Sequence, residues 1–152
     1  MSSRKYWQPM GIRTAKNSDW TAISHLLDQL EYPNTAPFLE EKIKKMTSHP
    51  DERLLVYEEG TEGRILAFIS LHFIPQIALE GDFARISYFA VEDTARSLGI
   101  GREIEEYCTQ LARERDCHLM EVHCHTRRRR AHDFYFRQGY TESPKYLIKK
   151  LK

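Results

Sequence analysis

No stretch of this sequence approaches the ~20 consecutive apolar residues that a membrane-spanning helix requires, so an integral membrane protein is not expected. The opening Met1-Ser2-Ser3-Arg4-Lys5 lacks the apolar core of a secretory signal. Neither sign of charge is in excess. With 23 Lys and Arg against 22 Asp and Glu, the formal net charge is +1, which gives no general case for nucleic acid or a lipid surface as partner. Cysteine is scarce: Cys108, Cys117 and Cys124 cannot all pair within one chain, and their spacing fits no zinc pattern. A reducing, cytoplasmic setting is the default expectation. No internal repeat or linker-like tract divides the 152 residues, a length that suits a single domain over 1–152 with its own core. Residues 1–10 read as a loose leader.

The chain then alternates between the two hydrophobic periods. Ile12 to Ala15 is a short strand. Asn17-Ser18-Asp19 offers capping oxygens, and Ile23, Leu26, Leu27 and Leu30 recur at helical spacing. Tyr32 to Pro37 breaks that helix, and Leu39, Ile43 and Met46 mark a second one. Leu54 to Tyr57 and Ile65 to Ile74 read as strands joined by a turn containing Gly60 and Gly63. Alternation in the longer strand puts Phe68, Ser70 and His72 on one face. Phe83 to Val91 is the next strand. Ile104, Tyr107, Cys108, Leu111 and Ala112 give a third helix one apolar stripe. Leu119 to His125 is a further strand, Arg129 to Gln138 a short helix stopped by Gly139, and Tyr146 to Leu151 a strand closing the sheet.

Between the strand ending at Val91 and the third helix stands Arg96-Ser97-Leu98-Gly99-Ile100-Gly101-Arg102. Glycines let backbone approach a ligand without an intervening Cβ. A helix start also leaves N–H groups unpaired, with the positive end of the dipole behind them. Such a turn is a seat for phosphate oxygens. It is not a P-loop, because Arg102-Glu103 follows Gly101 where Lys-Ser/Thr is required. The dinucleotide fingerprint wants a third small residue where Ile104 stands. Glu121 lies at that fingerprint's spacing, but too little chain follows for the second half of a doubly wound sheet. A plain tight turn before a helix is the remaining alternative.

Arg96-x-x-Gly99-x-Gly101 after such a strand resembles the acetyl-CoA signature of the GCN5-related N-acetyltransferases. Ala131-His132-Asp133-Phe134-Tyr135-Phe136-Arg137-Gln138-Gly139-Tyr140 is similar to that family's closing segment, Ala-x-x-Phe-Tyr-x-x-x-Gly-Phe/Tyr. Ile69-Ser70-Leu71-His72 and the ending from Phe134 look most like small-amine acetyltransferases of the aminoalkylphosphonate N-acetyltransferase kind. The resemblance implies a mixed α/β, three-layer fold, with a mostly antiparallel sheet of about six to seven strands flanked by about four helices. It implies acetyl-CoA as donor. Backbone N–H groups from Ser97, Leu98, Gly99, Ile100, Gly101 and Arg102 would hold the diphosphate, and Arg96 and Arg102 would add charge-assisted bonds. Phe89 and Val91 would bond the pantetheine arm, with the Val91 N–H polarising the thioester carbonyl. The first two helices and their connection would wall the acceptor site.

Acetyl transfer to an amine also needs a proton donor and a proton acceptor. By resemblance Tyr135 is the general acid toward the sulfur; read from spacing alone, Ala131, Phe134 and Tyr135 are one buried helix face. Relatives often carry a glutamate on the strand before the turn. Here that strand is Arg85-Ile86-Ser87-Tyr88-Phe89-Ala90-Val91, without a carboxylate. His72 is the first substitute, since histidine suits proton transfer near neutrality; Tyr88, Glu80, Asp82 and relay water are others, and a satisfied core histidine is the bland reading. His123-Cys124-His125 puts the cysteine on the opposite face from its neighbours, so no metal is expected. Arg127 to Arg130 can be an exposed turn, or can meet a phosphate of coenzyme A, an anionic acceptor or nucleic acid. A run without interleaved aromatics is thin support for the last. Arg128 also stands near where relatives carry an asparagine that contacts pantetheine. The expectation is an N-acetyltransferase acting on a small primary amine in a ternary complex, with a homodimer left open. A cofactor-binding regulatory module of the same fold is the alternative.

Overall fold

The computed structural model describes residues 11–143 and 146–152, so the leader expected at 1–10 lies outside the described residues. In chain order the elements are β1 (Ile12–Thr14), α1 (Trp20–Gln29), α2 (Ala36–Thr47), β2 (Glu52–Glu59), β3 (Arg64–Ile74), β4 (Phe83–Val91), α3 (Ile100–Glu114), β5 (Leu119–Val122) and α4 (Arg129–Arg137). Asn17–Asp19 and Asp93–Ala95 form short 3-10 turns. Helix α1 ends where Glu31 turns left-handed, at φ 70, ahead of Pro33. Helix α2 starts inside the segment read as a break, because Pro37 occupies its first turn, where a missing N–H leaves no bond unmade.

One sheet runs in the order β1-β2-β3-β4-β5. Its first four strands are antiparallel and β5 is parallel to β4. A parallel pair needs a crossover, and α3 supplies it. Alternation along the strands divides the core in two. Ile23, Leu26 and Ile43 of α1 and α2 pack with Val56, Phe68 and Ala90 on one face. Ile104 and Cys108 of α3 and Tyr135 of α4 pack with Ile69, Leu71 and Ile86 on the other. The result is the expected three layers. No helix among the described residues is long and apolar enough to cross a membrane.

The sheet has five strands among the described residues, fewer than the six to seven expected. One expected strand is missing and another is shorter than read. The strand read over Leu119 to His125 stops at Val122, because its pairing with β4 ends at Ile86 opposite Val122 and the chain then turns. Tyr146 to Leu151 carries no strand. Tyr146 instead stacks on His123, with ring centroids 4.3 Å apart.

Two irregularities set the geometry around the turn. Opposite β4, Ser70 pairs with Tyr88 but Leu71 pairs with Ile86, so Ser87 is an extra, bulged residue. The bulge reverses the phase of the strand. Ala84 and Ile86 face α3 before it; Phe89 and Val91 do so after it, while Ala90 faces α1 and α2. In β3, Leu66 is skipped between the partners of Tyr57 and Glu58. Its carbonyl accepts the Glu92 N–H at 2.7 Å, fixing the chain as it leaves β4. Deleting Ser87 shifts Phe89 and Val91 to the wrong face. Thermal melting followed by circular dichroism is expected to lose its cooperative transition in that deletion, whereas Ser87→Ala stays within about 0.5 kcal/mol of the parent.

Candidate active site

Beyond Ile86 the two parallel strands part. β4 runs on through Ser87 to Val91 while β5 ends at Val122. Among the described residues, no strand pairs with that stretch of β4 on the β5 side. Backbone amides left this way favour a partner that offers amides of its own. Phe89 and Val91, both singled out from the sequence, lie on this stretch. The Phe89 ring meets Phe134 of α4 edge to face at 5.9 Å.

The open edge leads into the glycine turn. Ala95 is buried in the core below it. Ser97 and Gly99 take left-handed backbone, at φ 75 and 83, on either side of the exposed Leu98. Gly99 is the N-cap of α3. The first amide to find a helical partner is Glu103, on the Gly99 carbonyl at 3.1 Å, which leaves the N–H groups of Ile100, Gly101 and Arg102 without one. Nothing lies within 4 Å of where a Gly99 Cβ would be, so the cradle is open. Gly101 serves a different purpose. A Cβ there would press on the Phe134 ring at 3.3 Å, so its absence lets α3 and α4 close up. These features fit a diphosphate. Both arginines are paired nearby, Arg96 with Asp93 at 2.8 Å and Arg102 with Glu106 at 2.9 Å, and both stay exposed. A knot at the end of α1 holds the turn from the other side. Gln29 donates to Glu92 at 2.9 Å and accepts the Asp93 N–H at 3.1 Å, and His25 lies 3.2 Å from the second Glu92 oxygen. The Gln29 hydrogen bond outweighs burial and holds the Glu92 carboxyl below its usual range.

On the face covered by α1 and α2, residues remote in sequence are directly paired in register. Glu52 lies opposite His72, His72 opposite Arg85, and Arg85 opposite Glu121. This polar row crosses β2, β3, β4 and β5. His72 Nδ1 is 3.2 Å from the Glu52 carboxylate, and its Nε2 is 3.2 Å from the Ser70 hydroxyl. Arg85 donates to Glu121 at 2.6 Å. A cavity of about 380 Å³ opens over the row, lined by His49, Asp51, Glu52, His72, Arg85 and Ser87 among others. Ser87 is also where β4 begins to run alone, so the cavity and the parting of the strands adjoin. Tyr32, from the connection between α1 and α2, stands edge-on to Tyr88 at 5.1 Å and places that connection over the bulge.

Tyr135 lies on the opposite face. Its ring is almost wholly buried between Phe134 and Tyr140, each with its centroid 5.2 Å away. Burial pushes its phenol well up, Cys124 adds to the rise, and Arg128 pulls the other way. Tyr140 donates to the buried Glu105 at 3.0 Å, as Thr109 does at 2.9 Å, which anchors the end of α4 to α3. The structure therefore brings the turn, the β4 edge and α4 together, and sets His72 and Tyr135 on opposite faces of the sheet, His72 in register with Arg85 just before the strands part.

The basic run is divided. Arg127 pairs with Glu31 at 2.9 Å, Arg128 caps α4 and is half-buried, and Arg129 and Arg130 are exposed. No group of three metal-ligating side chains among the described residues could hold an ion. What sequence reasoning missed is the row. Glu52, Arg85 and Glu121 carry no motif, and only the strand register joins them to His72.

Gly99→Ala puts a Cβ into left-handed backbone and is expected to cost about 1–2 kcal/mol, read as a lower midpoint in urea unfolding.

The sequence matches the family described as Acetyltransferase (GNAT) family over residues 19–140. Among curated proteins no match reaches significance. The fold is similar to that of a transcriptional regulator from Bacillus halodurans C-125, at 23% identity and a TM-score of 0.83, covering 92% of this chain and 98% of that one. It is similar to glucosamine-6-phosphate N-acetyltransferase from Arabidopsis thaliana, at 20% identity and a TM-score of 0.79, covering 95% and 100%. It is also similar to an aminoglycoside acetyltransferase from an uncultured soil metagenomic sample, at 18% identity and a TM-score of 0.74, covering 93% and 95%.

Proposed function

Since the chain belongs to the GNAT family of acetyltransferases, which take the acetyl group from acetyl-CoA, we propose that it acetylates the primary amine of a small molecule by direct attack in a ternary complex. The observation that carries this reading is the parting of β4 and β5. It opens between a turn suited to a diphosphate and a polar cavity suited to an amine.

Acetyl-CoA supplies an acetyl group activated as a thioester. In this reading the N–H groups from Ser97 to Arg102 hold its diphosphate, with Arg96 and Arg102 exchanging their present carboxylate partners for phosphate oxygens. The free edge at Phe89 and Val91 would pair with its amide arm, and the Val91 N–H would polarise the thioester carbonyl. The acceptor enters over the row on the other face. Glu52 at His72 Nδ1 favours the tautomer with its lone pair on Nε2; that nitrogen now faces the Ser70 hydroxyl and takes the proton from the attacking amine once the hydroxyl rotates away. Tyr135 gives its proton to the departing sulfur. A gap between two strands is reachable from both faces, so acid and base can serve one reacting centre without meeting. Burial keeps the Tyr135 phenol protonated, the form an acid must have.

Tyr135→Phe is expected to lower kcat about 10²-fold while leaving the Kd for acetyl-CoA nearly unchanged, as read by thiol release and calorimetry across a panel of amines. Unaltered thiol release would reject the acid assignment. Because the phenol's pKa is raised, its proton is retained through and beyond its ordinary value of about 10. The rate–pH profile is therefore expected to rise toward alkaline pH with no descending limb below about pH 10. His72→Gln is expected to lower kcat by at least tenfold in the same thiol-release assay; an unchanged kcat would assign proton removal elsewhere.

A further inference from the structure

Glu105 is an acid where packing alone would favour an apolar residue. It stands in the second turn of α3, only 4% exposed, beside the buried Ile104, Cys108 and Ala112. A buried carboxyl is costly unless it is hydrogen-bonded. Two hydroxyls answer it. Thr109, one turn further along the same helix, donates at 2.9 Å, and Tyr140, beyond the end of α4, donates at 3.0 Å. Neither partner is a cation. Replacing such a buried polar pair by apolar groups of the same shape is often neutral or stabilising. What the acid supplies is direction, because a hydrogen bond holds the Tyr140 phenol at one distance and one angle.

Tyr140 in turn holds Tyr135 in two ways. Gly139 takes left-handed backbone, at φ 95, which folds the chain back after α4. The Tyr140 N–H then reaches the Tyr135 carbonyl at 3.0 Å, and the two rings meet at 65° with centroids 5.2 Å apart. Phe134 is the other aromatic neighbour of the Tyr135 ring. Burial does most to keep the Tyr135 phenol protonated, and Cys124, Glu105 and Cys108 act in the same direction against Arg128. Glu105 also belongs to the helix whose first amides suit a diphosphate, and lies within two turns of them. A proton donor that must meet one sulfur needs its distance from the cofactor set, and a shift of about 1 Å can cost about 10²-fold in rate. We propose that Glu105, acting through Tyr140, is a positioning residue that sets the Tyr135 phenol relative to the cofactor seat, a role that rests on Tyr135 as the general acid. Neither Glu105 nor Tyr140 touches the reacting atoms.

Thiol-release kinetics and calorimetry with acetyl-CoA test this on the full chain. Tyr140→Phe removes one hydroxyl and is expected to lower kcat about tenfold while the Kd for acetyl-CoA stays within about twofold. Glu105→Leu combined with Tyr140→Phe removes both polar groups, so neither is left buried without the other. That double variant is expected to melt no lower than the parent and still to show the loss in kcat, which a purely structural pair would not cause. Glu105→Gln keeps an acceptor for Tyr140 and is expected to retain kcat within about twofold. Introduced into Tyr135→Phe, Tyr140→Phe is expected to cost nothing further, since both changes act through one phenol. Should Tyr140→Phe fail to fold, the double variant decides. Parent-like kcat in the double variant overturns the proposal, as does a further loss on top of Tyr135→Phe or an equal loss in Glu105→Gln. Parent-like kcat in Tyr135→Phe itself rejects the acid and the positioning role with it. An impaired Tyr135→Phe beside an unimpaired Tyr140→Phe rejects the positioning role alone.

Discussion

The constraint on which this molecule turns is the parting of two parallel strands. β4 and β5 share hydrogen bonds only as far as Ile86 and Val122, and the site proposed above is arranged around the place where they cease. Parallel pairing requires a crossover helix, so the end of β4 must be followed closely by the start of α3. The unpaired amides of a helix start therefore fall beside the unpaired amides of a strand edge. Two kinds of backbone hunger, one suited to anions and one to amides, are placed end to end by topology alone.

The bulge at Ser87 makes the gap two-sided. Without an extra residue, Phe89 and Val91 would face α1 and α2, and the edge would lack its contact with Phe134. With it, the aromatic residues of α4 close one face, while His72, Glu52 and Arg85 line the other. The partly exposed ion pairs of the row add little to stability, since such pairs contribute about 0–1 kcal/mol each. Their effect is to hold side chains in place. A cross-strand row fixes each of its members by the backbone register of its neighbours, so His72 is held on both flanks.

Much of this was legible in the residues, and what was not has a definite cause. β4 was read to its exact ends from Phe83 to Val91, because its aromatic and branched residues, alternating with Arg85 and Ser87 at its start, favour a strand. The turn was legible because Arg96-x-x-Gly99-x-Gly101 sets bare backbone between a strand and a helix start, and the face shared by Phe68, Ser70 and His72 followed from period-two alternation. Strand register is written in no local pattern, so the partners of His72 were not visible. Neither was the bulge, since Ser87 differs in no way from an ordinary exposed strand residue. Tyr146 to Leu151 was read as a strand closing the sheet and carries none, because residue types state a preference for pairing and do not supply a partner.

The knot that ties Gln29 to Glu92 and Asp93 has an implication for how such a chain can diversify. The last turn of α1 is fastened to the same few atoms from which the glycine turn springs. The connection that follows it, from Glu31 to Asn34, is exposed and meets the rest of the domain through Tyr32 and the pair of Glu31 with Arg127. On the proposed reading, selection for a new acceptor can act on this short connection while the helix before it stays fixed. Descendants of this fold would be expected to drift in what they modify long before they drift in what they carry.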